Sequence, residues 1–176
     1  FEQRNSEAHF GLAQVYRQQG YAAGAYRELI TVSKLQPDNL PAQIDLGNVL
    51  LWAKEFQRAR EQAEAVLARD PDNVNAHILL ANSYAGISNF EESIRAMQTA
   101  IQLAPEQPNS YLQMAFLQLN AKQAAAAEHS FLKAVSLEPK VTTARIALGN
   151  FYRQRRRWAE AEQQFRQAIE IDPRQP

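Results

Sequence analysis

Three asparagines recur at one spacing and could bind a peptide backbone. Asn48 and Asn82 are 34 residues apart, and Asn150 follows at twice that distance. A carboxamide both donates and accepts hydrogen bonds, so several in line can hold an extended or helical segment without reading its sequence. Packing or capping roles would give the same spacing, and both interpretations stay open at the level of sequence.

Catalytic and metal chemistry have little support in the sequence. His9, His77 and His129 have no partner at the spacing of a metal site or a catalytic triad. The chain has no Cys, which excludes disulfides and thiolate chemistry. There is also no glycine-rich phosphate loop. We therefore predict no catalytic, metal-binding or cofactor-binding residues and no enzymatic activity.

A strict proline period accounts for the spacing of the asparagines. Five prolines fall 34 residues apart without insertion or deletion: Pro37, Pro71, Pro105, Pro139 and Pro173. A period of this length is typical of a repeat array. With each proline counted as position 32, the chain divides into the end of a preceding repeat and five repeats of one continuous domain, at residues 1–5, 6–39, 40–73, 74–107, 108–141 and 142–176.

Each repeat has the pattern of two amphipathic helices. Large apolar residues at positions 7, 11, 24, 28 and 30 recur at helical spacing, which predicts helices at about positions 2–14 and 18–30. Small residues at positions 8, 20 and 27 would let neighbouring helices approach closely. The proline at position 32 ends the second helix. Asn39 and Asn73 are predicted N-caps, and Pro41 and Pro108 fit a first helical turn.

The fifth repeat carries the pattern most completely, in Leu148, Gly149, Tyr152, Ala161, Phe165, Ala168 and Pro173. It resembles the tetratricopeptide repeat, which combines Leu-Gly, Tyr, Ala, Phe and Pro at this period. The resemblance implies an all-α, right-handed superhelical solenoid of five tandem helix-turn-helix repeats. It also implies a scaffold for protein–protein interactions. The Trp of the family pattern at position 4 is replaced here by His9, Gln43, His77, Tyr111 and Arg145.

The resemblance implies that the first helices line a concave groove that binds a peptide or a partner's helix. The predicted groove residues are the polar residues Gln14, Asn48, Asn82 and Asn150, the apolar residues Trp52, Phe116 and Leu119, and the basic residues Arg17 and Arg153. Large apolar residues at nominally exposed positions are typical of contact surfaces. Local repacking is the alternative for the apolar residues.

Two further patterns on the first helices have open interpretations. Position 5 is apolar in every repeat, as Phe10, Ile44, Ile78, Leu112 and Ile146, and this stripe either contacts a partner or packs between helices. The basic cluster Arg153, Arg155, Arg156 and Arg157 could bind an acidic partner, or it could be a solvated turn. Binding through this cluster would be sensitive to salt.

The family's two-carboxylate clamp for acidic C-termini is incomplete in this chain. That clamp requires Lys and Asn in one repeat, Asn in the next, and Lys and Arg in the one after. Counted from Asn48, the chain has Ile44, Leu79, Asn109 and Gln113 at the other four places. The cationic half is missing, so we predict no binding of chaperone tails by this mechanism.

Composition limits the partners. The formal net charge is zero, so no general attraction to nucleic acid or anionic membranes is expected. No apolar run approaches the roughly 18 residues of a membrane span, so direct membrane insertion is not expected. Arg far outnumbers Lys, and Ala and Gln are abundant, which hints at a bacterial source. Cytoplasm and periplasm or envelope both stay open, and the expected partner is a protein or peptide.

Two alternative functions also fit the sequence. No polar capping helix follows Pro173, so the end repeats could stack on those of another copy and give a self-associating structural array. The array could equally be the substrate-recruiting arm of a larger enzyme, or part of an envelope or secretion assembly. The repeat register predicts that the parent protein continues in both directions.

Overall fold

The chain is all-α in a computed structural model that describes residues 2–173, with side chains from residue 5 onward. That part of the chain has no strand and contains ten helices, α1 (Glu2–Gln18), α2 (Ala22–Leu35), α3 (Leu40–Trp52), α4 (Phe56–Leu67), α5 (Val74–Gly86), α6 (Phe90–Leu103), α7 (Pro108–Asn120), α8 (Ala124–Leu137), α9 (Thr142–Gln154) and α10 (Trp158–Ile171). The all-α fold of helical repeats predicted from the sequence is confirmed. The chain divides into two compact units, unit 1 (Phe1–Ala100) and unit 2 (Ile101–Pro176).

Helix starts follow the capping signals in the sequence. The Asn39 side chain accepts a hydrogen bond from the amide of Ala42 at 3.1 Å, and Asn73 accepts one from Ala76 at 3.0 Å. Pro41 and Pro108 lie in the first turns of α3 and α7. The predicted caps and first-turn prolines are therefore confirmed.

The first helix begins earlier than the repeat pattern predicts. The pattern places the start of the first helix near Glu7, whereas α1 begins at Glu2. The residue at position 32 of that preceding repeat would be Gln3, whereas all the later repeats have proline there. Without proline the backbone keeps its amide donor, so the helix can run through this segment.

The turn inside each helical hairpin uses a left-handed residue. Backbone φ is positive at the same repeat position in all five hairpins, at Gly20 (72°), Lys54 (61°), Ser88 (60°), Lys122 (61°) and Arg156 (58°). The next amide then donates to a carbonyl five residues earlier, as Tyr21 does to Tyr16 at 2.8 Å. This bond closes the helix end in the manner of a Schellman motif. The first of these residues is glycine. In the other four turns a residue with a side chain has positive φ, and this backbone strain costs about 1 kcal/mol or more per turn.

Small residues form the helix contacts in both units. Every residue at positions 8, 20 and 27 is buried, which confirms the prediction that these positions bring helices together. In unit 1, a Cβ built on Gly47 would overlap the Leu79 side chain. In unit 2, a Cβ on Gly149 would lie 2.8 Å from Cε1 of Phe165. These glycines let a large apolar side chain sit directly on a helix backbone.

Each unit has its own apolar core. In unit 1 the largest buried side chains of the core are Leu29, Leu50 and Leu79, packed around Ala25, Ala59 and other alanines. In unit 2 the ring of the fully buried Phe131 packs on that of Phe151, and 5.6 Å separates the two ring centroids. Leu12 on α1 departs from the predicted core pattern: it is 40% exposed, whereas Leu46 at the same repeat position is 4% exposed. Within residues 2–173 no helix precedes α1 to cover this face.

Polar side chains at position 4 bond to the proline carbonyls that end the preceding hairpins. The Gln43 amide donates to the carbonyl of Pro37, and Nε2 of His77 lies 2.8 Å from the Pro71 carbonyl. Arg145 donates to Pro139 at 3.2 and 3.3 Å. Carbonyls beyond a helix end have no partner within the helix. These contacts give the residues that replace the family's Trp a structural role.

Candidate functional site

The groove residues of unit 1 lie on α1, α3 and α5. Gln14 is exposed, while Asn48 and Asn82 are half-buried. Among the described residues the Asn48 side chain has no hydrogen-bond partner, so its carboxamide can bond to a ligand. Asn82 already interacts with another residue of the chain. The asparagines of this column are therefore not equivalent.

Trp52 is the large apolar groove residue of unit 1. It is the last residue of α3, and 53% of its side chain is exposed. A tryptophan at this exposure contributes little to the core but offers a large contact area to a partner. The structure thus leaves available the side chain that the sequence singled out.

Arg17 already has a partner within unit 1. Its guanidinium forms an ion pair with Asp45 of α3. Burial raises the pKa of the Asp45 carboxyl, and the charge of Arg17 offsets part of that rise. An acidic ligand would have to compete with Asp45 for this arginine.

The groove residues of unit 2 differ in their exposure. Phe116 is 51% exposed, and its ring packs edge-to-face on Phe131, with 5.4 Å between the centroids. Leu119 is half-buried and packs on the core of unit 2. Asn150 is half-buried, and its side chain bonds to no residue within 2–173. Phe116 therefore combines a fixed orientation with an accessible face.

The apolar residues at position 5 are neither fully buried between helices nor fully exposed to a partner. Phe10, Ile44, Ile78 and Leu112 are half-buried, and Ile146 is 36% exposed. Phe10 packs on the core of unit 1 and Leu112 on that of unit 2. These residues support the helices while keeping part of their surface accessible.

The basic cluster divides into structural and exposed members. Arg157 donates to both carboxylate oxygens of Glu128, at 2.8 and 2.9 Å, and to Glu160 at 2.8 Å. Its guanidinium lies 4.4 Å from the centroid of the Tyr152 ring. Arg155 lies 5.0 Å from the ring centroid of Phe151. Arg153 and Arg156 are exposed. Arg153 is thus the groove member of the cluster that is open to a partner.

Tyr152 should ionise later than an ordinary tyrosine. Burial, together with its hydrogen bond to Glu128, raises its pKa to about 12. Because the folded state holds this proton more tightly than the unfolded chain, its contribution to stability is complete below about pH 10 and is lost as pH rises towards 12. Absorbance titration of phenolate should show one late tyrosine, absent in Tyr152→Phe. An unchanged titration curve in that variant would contradict the assignment.

Two exposed aromatic residues were missed in the sequence, Tyr21 (50% exposed) and Trp158. Trp158, the first residue of α10, is 62% exposed. Phe56 and Phe90 occupy the same repeat position and are half-buried. The sequence signal was the larger ring at this position.

Two of the three histidines have hydrogen-bond partners within unit 1. His9 bonds to the buried Glu28 at 2.6 Å, and His77 bonds to a backbone carbonyl. Across residues 2–173 no three His, Asp or Glu side chains are grouped as metal ligands. None of the helices in this range is long and apolar enough to span a bilayer.

Solved structures with the same fold have low sequence identity to the chain. A thermophilic TPR protein of Thermus thermophilus has a TM-score of 0.83 and 20% identity, covering 96% of this chain and 92% of that one. PilF of Pseudomonas aeruginosa has a TM-score of 0.81 and 20% identity, covering 97% and 78%. MamA of Desulfovibrio magneticus RS-1 has a TM-score of 0.77 and 18% identity, covering 97% and 96%. At these identities the likeness shows the fold alone.

Sequence comparison identifies the family. No curated protein matches the sequence. The profile of the tetratricopeptide repeat matches residues 44–108 and 112–176, which together make up most of the chain. The chain belongs to the tetratricopeptide repeat family.

Proposed function

We propose that the chain is a protein-interaction scaffold of five repeats that binds a peptide or a partner's helix along its first helices. Tetratricopeptide repeats are generally protein-binding scaffolds rather than enzymes, and the family membership supports that role. The observation that carries the finer proposal is the exposure of two large aromatic side chains on first helices, Trp52 at 53% and Phe116 at 51%. Aromatic anchors of this kind supply much of the binding energy at interfaces.

The surroundings of the two anchors suit peptide binding. Asn48 precedes Trp52 by one helical turn on α3, and its carboxamide has no partner in the described chain. In unit 2, the Asn150 side chain likewise has no hydrogen-bond partner within residues 2–173. In each unit a carboxamide would bond to the partner's backbone while the aromatic ring covers an apolar side chain. Phe116 is already held by Phe131, so little conformational freedom is lost when it binds.

Partner capture tests the proposal with matched tryptophan variants. Wild-type chain and Trp52→Ala are used to capture partners from an extract of the source organism, and a captured partner is then titrated against each. Trp52→Ala should weaken its affinity by a hot-spot amount, about 30-fold. Trp158→Ala is the control, because Trp158 is also exposed but belongs to a second helix. Equal losses in both variants, or none in Trp52→Ala, would contradict groove binding.

The asparagines are tested by a double substitution. The double variant Asn48→Ala, Asn150→Ala should weaken binding of the same partner. Its helicity and melting temperature should stay nearly unchanged, because accessible polar residues contribute little to stability. Asn82 is left intact because it has an interaction within the chain. Circular dichroism accompanies each titration. A large fall in melting temperature would instead assign these asparagines to the structure.

Self-association is the second candidate function. Leu12 and Val15 on α1 are 40% and 46% exposed, and Ile169 on α10 is 60% exposed. Such apolar helix faces can stack on those of another copy, as neighbouring repeats do within an array. Sedimentation of the samples used for capture separates the candidates. A mass that rises with concentration favours self-association, whereas a monomer at all concentrations favours binding to a different protein.

A further inference from the structure

Unit 1 contains a pocket between the start of α2, the end of α3 and the start of α4. Its volume is about 420 Å³, and it is lined by Ala22, Ala23, Tyr26, Val49, Leu50, Ala53, Glu55 and Arg58. We call it the Leu50 pocket. Val49 and Leu50 are buried apolar residues, whereas Glu55 and Arg58 are exposed, charged and ion-paired. An apolar floor with a few polar groups at the rim is typical of ligand sites, and the volume lies in their range.

The corresponding place in unit 2 is occupied by the chain's own side chains. Three repeats further along the sequence, Leu50 corresponds to Tyr152, Val49 to Phe151 and Ala53 to Arg155. The Tyr152 hydroxyl donates to Glu128 at 2.9 Å, and the Arg157 guanidinium covers its ring at 4.4 Å. Three larger side chains thus stand where unit 1 has smaller ones.

Other repeats also have a tyrosine at the position of Leu50. Tyr84 lies in the next repeat, and the Arg60 guanidinium is 5.8 Å from its ring centroid. Tyr16 lies in the preceding repeat and packs edge-to-face on Tyr21 at 5.3 Å. In both repeats, as at Tyr152, the phenol ring is covered by an arginine or an aromatic residue. Leu50 is the place in unit 1 where this ring is absent.

We propose that the Leu50 pocket binds a tyrosine side chain of a partner protein. The occupant would take the place that Tyr152 takes in unit 2, with its ring above Leu50. Arg58 already lies 5.5 Å from the Tyr26 ring centroid and donates to the Tyr26 hydroxyl at 2.7 Å, so a cation for the face of an added ring stands at the rim. Glu55 is the rim carboxylate that can accept the phenol hydroxyl, as Glu128 does for Tyr152.

This site goes beyond the proposed groove and does not depend on it. The pocket residues come from α2, the last turn of α3, the turn that follows it and the start of α4, and none of the groove asparagines lines the pocket. A bound tyrosine would fix one residue of a partner, which adds sequence selectivity that carboxamides bonded to a backbone lack.

The test titrates the whole chain with N-acetyl-tyrosinamide and follows backbone amide shifts by NMR. We expect saturable shifts at Ala22, Ala53 and Arg58 with a dissociation constant on the order of 1 mM, which is usual for so small a ligand. N-acetyl-leucinamide is the aliphatic control. No saturable shift with the tyrosine probe, or equal binding of the leucine probe, would overturn the proposal.

Two variants localise the binding. Leu50→Tyr supplies the missing ring from the chain itself. It should weaken binding of the probe at least about 10-fold, because the pocket is then filled. Ala53→Arg narrows the rim as Arg155 does in unit 2 and should weaken it as well. Each variant is compared with wild type by circular dichroism, and Ala53→Arg decides if Leu50→Tyr does not fold. Unchanged binding in a folded variant would place the probe elsewhere.

The outcomes for the two sites are distinguishable. The probe titration needs no partner protein, so it can succeed even if Trp52→Ala leaves partner capture unchanged. Conversely, Trp52→Ala should leave the probe affinity unaltered, because Trp52 does not line the pocket. A loss of probe binding in Trp52→Ala would contradict two separate sites.

Discussion

Phe131→Ala should lower the free energy of unfolding of unit 2 by about 3–5 kcal/mol, the usual cost of removing a buried aromatic ring. Phe131 has no exposed surface, and its ring contacts both Phe116 and Phe151. Its removal leaves a cavity between α7, α8 and α9, and the rings around that cavity lose packing partners. Urea denaturation followed by circular dichroism would measure the change.

Phe116→Ala is the matched control for this prediction. It removes the same side chain from a position that is 51% exposed, so about 1 kcal/mol or less should be lost. Repeat arrays can unfold in stages, so amide exchange in α8 should accompany the denaturation curves. If Phe116→Ala cost as much as Phe131→Ala, the assignment of Phe131 to the core and Phe116 to the surface would be wrong.

The same pair of variants separates stability from binding. Phe116→Ala should weaken binding of the partner while the fold persists, because the accessible face of the Phe116 ring is the proposed contact. Phe131→Ala should lower both the stability and the affinity for the partner, because Phe116 packs on the ring that is removed. Binding is compared at a temperature where both variants remain folded.

Much of the fold could be predicted because it depends on local chemistry repeated five times. A proline at a fixed position follows each second helix, and the small residues at position 8 are buried in every repeat. Asn39 and Asn73 cap helices through their own side chains, so their role is visible within four residues of sequence. The start of α1 differs from the repeat pattern because Gln3 stands where the later repeats have proline.

The site was harder to predict because exposure depends on which neighbour covers a helix. Leu12 and Leu46 share a repeat position, yet only Leu46 is covered. Asn48 and Asn82 also share one, yet among the described residues the Asn48 side chain has no hydrogen-bond partner, whereas Asn82 has an interaction. The Leu50 pocket arises from single departures from the repeat pattern. Its signal in the sequence was a Leu in a column that has tyrosine in three of the five repeats and Gln118 in another, but the space it leaves depends on Val49 and Ala53 as well.

Gly47→Ala and Gly11→Ala should change stability in opposite directions. At Gly47 an added Cβ would overlap the Leu79 side chain, lying 3.0 Å from Cδ1 and 3.2 Å from Cγ, and Leu79 is 1% exposed with little room to move. Overpacking costs about 1–3 kcal/mol, which exceeds the roughly 1 kcal/mol that alanine gains over glycine in a helix. At Gly11 no heavy atom of the described residues lies within 4 Å of the added Cβ, apart from the adjacent residues and the backbone of α1, so only that gain applies. Thermal and urea denaturation would measure both.

Combining Gly47→Ala with Leu79→Ala tests the contact itself. Leu79→Ala alone should cost about 2–5 kcal/mol through its cavity. In the double variant the methyl group added at Gly47 enters the space that Leu79 vacates. The stability lost by the double variant should therefore be smaller than the sum of the losses of the two single variants, by about 1 kcal/mol or more. Gly11→Ala with Leu79→Ala should be additive, because no described side chain beyond its chain neighbours lies within 4 Å of a Cβ added at Gly11. Additivity in both pairs would show that Gly47 is required for a reason other than the approach of Leu79 to the backbone of α3.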